Sequence, residues 1–165
     1  MIGDFSVGKT ILIRRFVDRQ FSDKYLSTVG VKISRKAVEV IGEKGEQKDL
    51  HLLIWDIEGQ TKFKAIAPSY LLGAKGAIIV VDVSRPETIE SLPEHIKLFL
   101  SVNQKGFMII ALNKADLIDS EKMEKILQAN KFADREQVLG IFPTSAKTGA
   151  NVDQIFADLA TKMMG

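Results

Sequence analysis

The sequence predicts an α/β fold, a mostly parallel sheet covered by helices, and three observations predict it. Short apolar runs rich in Ile and Val recur: HLLIWDI at 51 to 57, GAIIVVDV at 76 to 83, GFMIIALN at 106 to 113 and VLGIF at 138 to 142. Runs apolar at every position belong to strands buried on both faces, the situation of parallel strands under helices. Longer amphipathic segments separate the runs, as crossovers between parallel strands require. A glycine-spaced turn, GDFSVGKT at 3 to 10, stands at the head of a helix, the pattern of a phosphate-cradling loop.

In chain order, Met1-Ile2 leaves almost no strand ahead of Gly3, whereas strands usually run about 5–6 residues. Residues 10 to 17 continue the glycine turn as a helix. Residues 31 to 41, VKISRKAVEVI, alternate in polarity and pair as a hairpin with 49 to 57 across the polar EKGEQK turn. Pro93 suits the first turn of a helix carrying Ile96, Phe99 and Leu100, because a proline there forfeits no intrahelical hydrogen bond. Asn151, with Gln154 three residues on, reads as the cap of a last helix whose apolar stripe is Val152, Ile155, Phe156, Leu159 and Met163. Residues 1 to 165 show no repeat, linker or low-complexity segment, so one domain is expected.

Composition narrows the function. Lys and Arg number 23 against 21 Asp and Glu, and a net charge of +2 makes no case for a nucleic-acid or anionic-membrane surface. There is no cysteine, so disulfides, thiolate metal sites and a cysteine-borne lipid anchor are excluded for these residues, and the reducing cytoplasm is the expected location. No apolar run approaches the roughly 18 residues of a membrane span, and no signal peptide opens the chain.

The chemistry begins with the loop. Backbone N–H groups of Gly3, Ser6, Val7 and Gly8, together with the positive end of the following helix, suit phosphate oxygens. Lys9 reaches the β and γ phosphates in this motif, and the Thr10 hydroxyl serves Mg²⁺. Selection of the base is read from Asn113-Lys114-Ala115-Asp116 at the end of a strand. A carboxylate there accepts from both N1–H and the 2-amino group of guanine, donors that adenine lacks, so Asp116 is the guanine selector and Asn113 and Lys114 brace it. Strand 51 to 57 ends in Asp56, placed to hold a water of the Mg²⁺ shell; the Gly59 N–H is placed for the γ-phosphate, and Gln60 for orienting an attacking water.

These motifs, in this order and over essentially the whole chain, resemble a small GTPase of the Ras superfamily, of the Rab type. FSDKYLSTVGVKI resembles the first switch of that family and TSAK at 144 to 147 its last guanine loop. The resemblance implies a six-stranded sheet with one antiparallel hairpin strand and helices on both faces. It also implies that Phe21 packs on the guanine, that Tyr25 closes over the phosphates, and that Thr28 gives its hydroxyl to Mg²⁺ and its N–H to the γ-phosphate. Ser145, Ala146 and Lys147 would support the base. The function implied is slow hydrolysis of GTP to GDP, with surfaces at about 20–30 and 56–70 that change for partners: an effector, an exchange factor and a GTPase-activating protein. The alternative is a GTP/GDP-binding interaction module with little or no useful hydrolysis.

Several residues depart from the family pattern. Phe5 replaces a small loop residue, which implies slow hydrolysis and resistance to a partner's arginine unless the ring points outward. Ile57-Glu58 replaces a small pair, and a carboxylate there is repelled by phosphate unless it faces solvent or pairs with a cation. The family's central first strand is nearly missing, which implies that the natural chain begins upstream or that its start is misassigned.

Overall fold

Alternation along two strands decides the architecture. The computed structural model describes residues 1–22, 28–62, 64–130 and 135–164. In β4 (Gly76–Asp82) and β5 (Phe107–Asn113) successive side chains leave opposite faces of the sheet, and nearly all of them are buried. Ala77, Ile79 and Val81 of β4, with Met108, Ile110 and Leu112 of β5, form one core. It is closed by Leu92, Ile96 and Phe99 of α3 (Leu92–Val102), following α2 (Pro86–Glu90), and by Met123 of α4 (Ser120–Ala129). Ile78, Val80, Ile109 and Ala111 face the other way. They meet Leu12 and Phe16 of α1 (Lys9–Asp18) and Ile155 and Phe156 of α5 (Val152–Met164). Helices thus cover both faces, as the doubly apolar runs require.

Six strands occur among the described residues, but they do not form the one continuous sheet implied by the resemblance. β1 (Ile2–Gly3), β4, β5 and β6 (Val138–Pro143) make a four-stranded parallel sheet in the order β1-β4-β5-β6. β2 (Val31–Ile41) and β3 (Gln47–Ile57) make a separate antiparallel pair. The reason lies in β1, whose two residues pair with Ile79 and Val80. On its other side the hairpin is tied by the Met1 amine donating to the Trp55 carbonyl at 3.0 Å and by a parallel bridge between Asp4 and Gln60. Two residues present too few backbone groups to sustain a second ladder.

The predicted hairpin forms with β3 starting two residues early, and Pro93 stands in the first turn of α3. The predicted cap of α5 does not form. Asn151 adopts a left-handed conformation, φ +57°, and its amide donates to the Pro143 carbonyl at 2.8 Å, while Gln154 turns to Asp158. The intended stripe is nonetheless buried at Val152, Ile155, Phe156 and Leu159. Helix α4, which periodicity did not reveal, is capped by the Asp119 carboxylate accepting from the Lys122 N–H at 2.8 Å. Among the described residues no helix is long and apolar enough to cross a membrane.

Candidate functional site

Polar groups are buried at one end of this molecule, the carboxyl ends of the parallel strands and the turns beyond them. Asp82 closes β4, Asn113 closes β5, and Thr144 and Ser145 follow β6; each is at most 2% exposed. Asp56, near the end of β3, and Lys9, the first residue of α1, join them. A parallel sheet gathers its ligand residues at this end, because each strand there turns into a loop.

The loop from Gly3 to Thr10 is built to curl. Ser6 and Gly8 have φ of +64° and +101°. A side chain at position 8 would also place its Cβ 2.5 Å from the Asn113 amide nitrogen, so glycine is required twice over. The curl is held from outside: the Asn113 amide donates to the Val7 carbonyl at 2.9 Å and the Lys114 ammonium to the Ser6 carbonyl at 3.2 Å. These two bonds occupy the carbonyls of Ser6 and Val7 immediately before the start of α1. Lys9 lies across the loop and donates to the carbonyls of Gly3 at 3.3 Å and Asp4 at 3.1 Å. Burial pushes its pKa down to about 8, against the attraction of Asp56 and Asp4. An incoming polyphosphate would restore the charge.

Beside Lys9 three oxygen-bearing side chains from three segments converge. The Thr10 hydroxyl lies 2.7 Å from the Thr28 hydroxyl and donates to Asp56 Oδ2 at 2.6 Å, and Thr28 reaches the same oxygen at 3.3 Å. The second Asp56 oxygen is buried with no hydrogen-bond partner. Two hydroxyls and a carboxylate with an unsatisfied oxygen are hard donors of the kind Mg²⁺ takes, so these residues fit that ion. Among the described residues, no group of three or more His, Cys, Asp or Glu offers a different metal centre.

At the end of β5, Asn113 is oriented by the Thr144 hydroxyl, which donates to its Oδ1 at 3.2 Å. Asp116 Oδ1 accepts from the Ser145 hydroxyl at 2.8 Å, and Ser145 Oγ accepts from the Thr148 N–H at 3.1 Å. Ala146 is buried and Lys147 is exposed next to them. Lys114, in a left-handed conformation, also pairs with Asp82 at 2.8 Å. Burial alone would raise the Asp82 carboxyl; Lys114 and the Ser84 donors outweigh it and hold it below the ordinary carboxylate range. Phe21 is about one third exposed, and Tyr25 lies outside the described residues.

Comparison with known proteins gives the family. The Ras family description matches residues 1–165. The chain belongs to the Ras family. It is 36% identical over 165 residues to Ras-related protein Rab-13 of Bos taurus, covering 99% of this chain and 78% of that one. It is 37% identical over 162 residues to Rab-1C of Dictyostelium discoideum, and 33% identical over 165 residues to human Rab-4A, covering 77% and 72% of those proteins. It is a Rab-like small GTPase, a GTP-binding switch by family.

Within this Ras-family frame the segment from Glu58 to Gln60 packs beside the loop. Gly59 and Gln60 lie against the phosphate loop: the Gln60 N–H donates to the Gly3 carbonyl at 3.1 Å and the Phe5 N–H to the Gln60 carbonyl at 2.8 Å. A Cβ at position 59 would sit 2.5 Å from Phe5 Cα, so only glycine permits the approach. The Gln60 amide donates to Glu94 on α3 at 3.4 Å. Phe5 is 39% exposed, and its carbonyl accepts from Arg85 at 3.0 Å. Glu58 resolves the repulsion expected of it by pairing with Lys64 at 2.8 Å and accepting from the Gly30 N–H at 3.2 Å, which hold its pKa low.

Sequence reasoning missed the support behind the loop. The Asp4 carboxylate accepts from Ser91 and bonds the buried His95, both at 2.9 Å. Burial raises its pKa, and these partners outweigh that, leaving it lowered. Ser91 and His95 lie four apart on one helical face, the single signal that could have suggested them.

Proposed function

We propose that this chain is a Mg²⁺-dependent guanine-nucleotide switch that hydrolyses GTP slowly to GDP and phosphate and alters its surfaces at about 20–30 and 56–70 for partners. The observation that carries it is the convergence of Thr10, Thr28 and Asp56, with its unsatisfied oxygen, beside the buried Lys9. The N–H groups of Gly3, Ser6, Val7 and Gly8, with Lys9, take the phosphate oxygens, and Thr28 and Gly59 give theirs to the γ-phosphate. Asp116 reads guanine, braced by Asn113, Lys114, Ser145, Ala146 and Lys147, with Phe21 against the ring. Thr10 and Thr28, with Asp56 through water, would hold Mg²⁺, which would supply neutralisation of the polyphosphate charge. Lys9 stabilises the same developing charge, and Gln60 turns from Glu94 to orient the attacking water. The water oxygen bonds to the γ-phosphorus as the bond from that phosphorus to the bridging oxygen breaks, and the water's protons pass to the phosphate and to solvent, leaving GDP and phosphate.

The surface for an effector, exchange factor or GTPase-activating protein adjoins the site. Val29, Ile33, Leu53 and Trp55 are exposed, and Ile33 stands opposite Trp55 in the hairpin. A second reading, a GTP/GDP-binding module with little turnover, is favoured by the direction of the Gln60 amide and by Phe5 in the loop.

Chromatography of the bound nucleotide, then single-turnover GTP hydrolysis with and without Mg²⁺, tests both. The switch reading expects guanine nucleotide in the purified protein and a hydrolysis rate that falls by about tenfold or more in Gln60→Leu, with binding retained. Equal rates in wild type and Gln60→Leu select the second reading. In the same assay Phe5→Gly is faster than wild type if the ring impedes the water, and unchanged if it does not.

A further inference from the structure

Glu58 occupies a junction that a small side chain could not serve. The last paired residues of the hairpin, Val31 and Ile57, are followed by one further backbone bond, in which the Glu58 N–H donates to the Gly30 carbonyl at 2.8 Å. The side chain then returns to the same residue, its Oε2 accepting from the Gly30 N–H at 3.2 Å, while that oxygen also holds the Lys64 ammonium at 2.8 Å. Gly30 lies two residues beyond Thr28, and Glu58 immediately precedes Gly59. One carboxylate therefore joins the two segments that flank the γ-phosphate position. An anion accepting from an N–H of the first segment and from a donor of the second does chemically what the γ-phosphate is proposed to do between Thr28 and Gly59.

We propose that Glu58 is a positioning residue that acts as a built-in anion. It keeps the segments around Thr28 and Gly59 joined when the γ-phosphate is gone, so GDP and GTP differ less in their ordering of these segments than they would with a small residue at 58. The inference rests on the nucleotide-switch reading and adds a regulatory property that reading does not contain. The two arms differ in strength. Lys64 is 63% exposed, so its ammonium is screened and contributes little; the Glu58 side chain is 23% exposed, and the bond to the Gly30 N–H carries most of the effect.

The test is hydrogen exchange of the full chain loaded with GDP or with a non-hydrolysable GTP analogue, followed over residues 28–33 and 58–66. In Glu58→Ala the GDP form is expected to exchange roughly tenfold faster than wild type, the GTP-analogue form changing little. Glu58→Gln, which keeps a neutral acceptor for Gly30 and loses the charge and the ion pair, is expected to fall between wild type and Glu58→Ala, and full protection in it overturns the role of the anion. A Glu58→Ala that loosens both nucleotide forms equally overturns the proposal, since that is the signature of ordinary structural support. So does a wild-type protein whose two forms differ as widely as those of Glu58→Ala. Nucleotide affinity is measured on the same samples with fluorescent GDP: loss of GDP binding in wild type overturns the switch reading and this inference together. Retained binding with no nucleotide-selective effect overturns this inference alone.

Discussion

At the scale of residues, the site depends on buried charges that are satisfied by partners close in space and distant in sequence. Asp82 braces Lys114, which in turn holds the carbonyl of Ser6. Because its folded pKa lies below the ordinary carboxylate value, its contribution to stability is fully present above that value, about 3.9 for Asp, and is lost as pH falls through the lower folded value. Asp4 titrates in the same direction. Asp82→Asn is therefore expected to lower the urea midpoint at pH 7 and to flatten the decline of stability below about pH 4; a midpoint unchanged at both pH values contradicts this. Residues 3 to 10 and 113 to 116 were legible as motifs because contiguous backbone does their work, a curl for phosphate and a turn for a base. The aim of Gln60 toward Glu94 and the pairing of Glu58 with Gly30 were not legible, since neither partner is near in the chain.

At the scale of elements, α1 carries the phosphate loop and is itself anchored by α5. Phe16 and Phe156 stack with centroids 4.0 Å apart and ring planes 5° from parallel, and both are 4% exposed. Phe156→Ala removes that support without touching the site, and a loss of about 3–5 kcal/mol is expected from such a truncation. Urea unfolding with saturating GDP measures it; a loss under about 1 kcal/mol would mean that the helices repack around the gap. Periodicity revealed α3 and α5 through their apolar stripes. It did not reveal the break between the parallel sheet and the hairpin, which follows from β1 having only two residues to offer two neighbours. The cap of α5 was misread because Asn151 suits a left-handed turn as well as an N-cap, and the Pro143 carbonyl within reach of its amide selects the turn.

At the scale of the whole molecule, nucleotide and fold are expected to stabilise one another. A ligand present at a thousand times its dissociation constant adds about 4 kcal/mol to the folded state, and the cluster of Thr10, Thr28 and Asp56 links that gain to Mg²⁺. Adding EDTA to the GDP-loaded protein should therefore lower the melting temperature, and Asp56→Asn should remove most of the difference. An EDTA shift of equal size in both proteins would place the metal elsewhere. The formal charge of +2 remains uninformative about partners, whereas the exposed apolar residues of the hairpin are the surface proposed for them.

The sequence by itself determined the fold class, through strands apolar on both faces, and the motifs on which the proposed phosphate and guanine contacts rest, through spacing along a contiguous backbone. Only the tertiary structure decided which distant side chains meet: Thr10, Thr28 and Asp56 at the proposed metal position, Asp4 with Ser91 and His95 behind the loop, and Glu58 with Gly30 between the segments around Thr28 and Gly59. The physical reason is that local spacing specifies the path of the backbone, while contacts between separate elements depend on strand register and helix packing, which no short stretch of sequence contains.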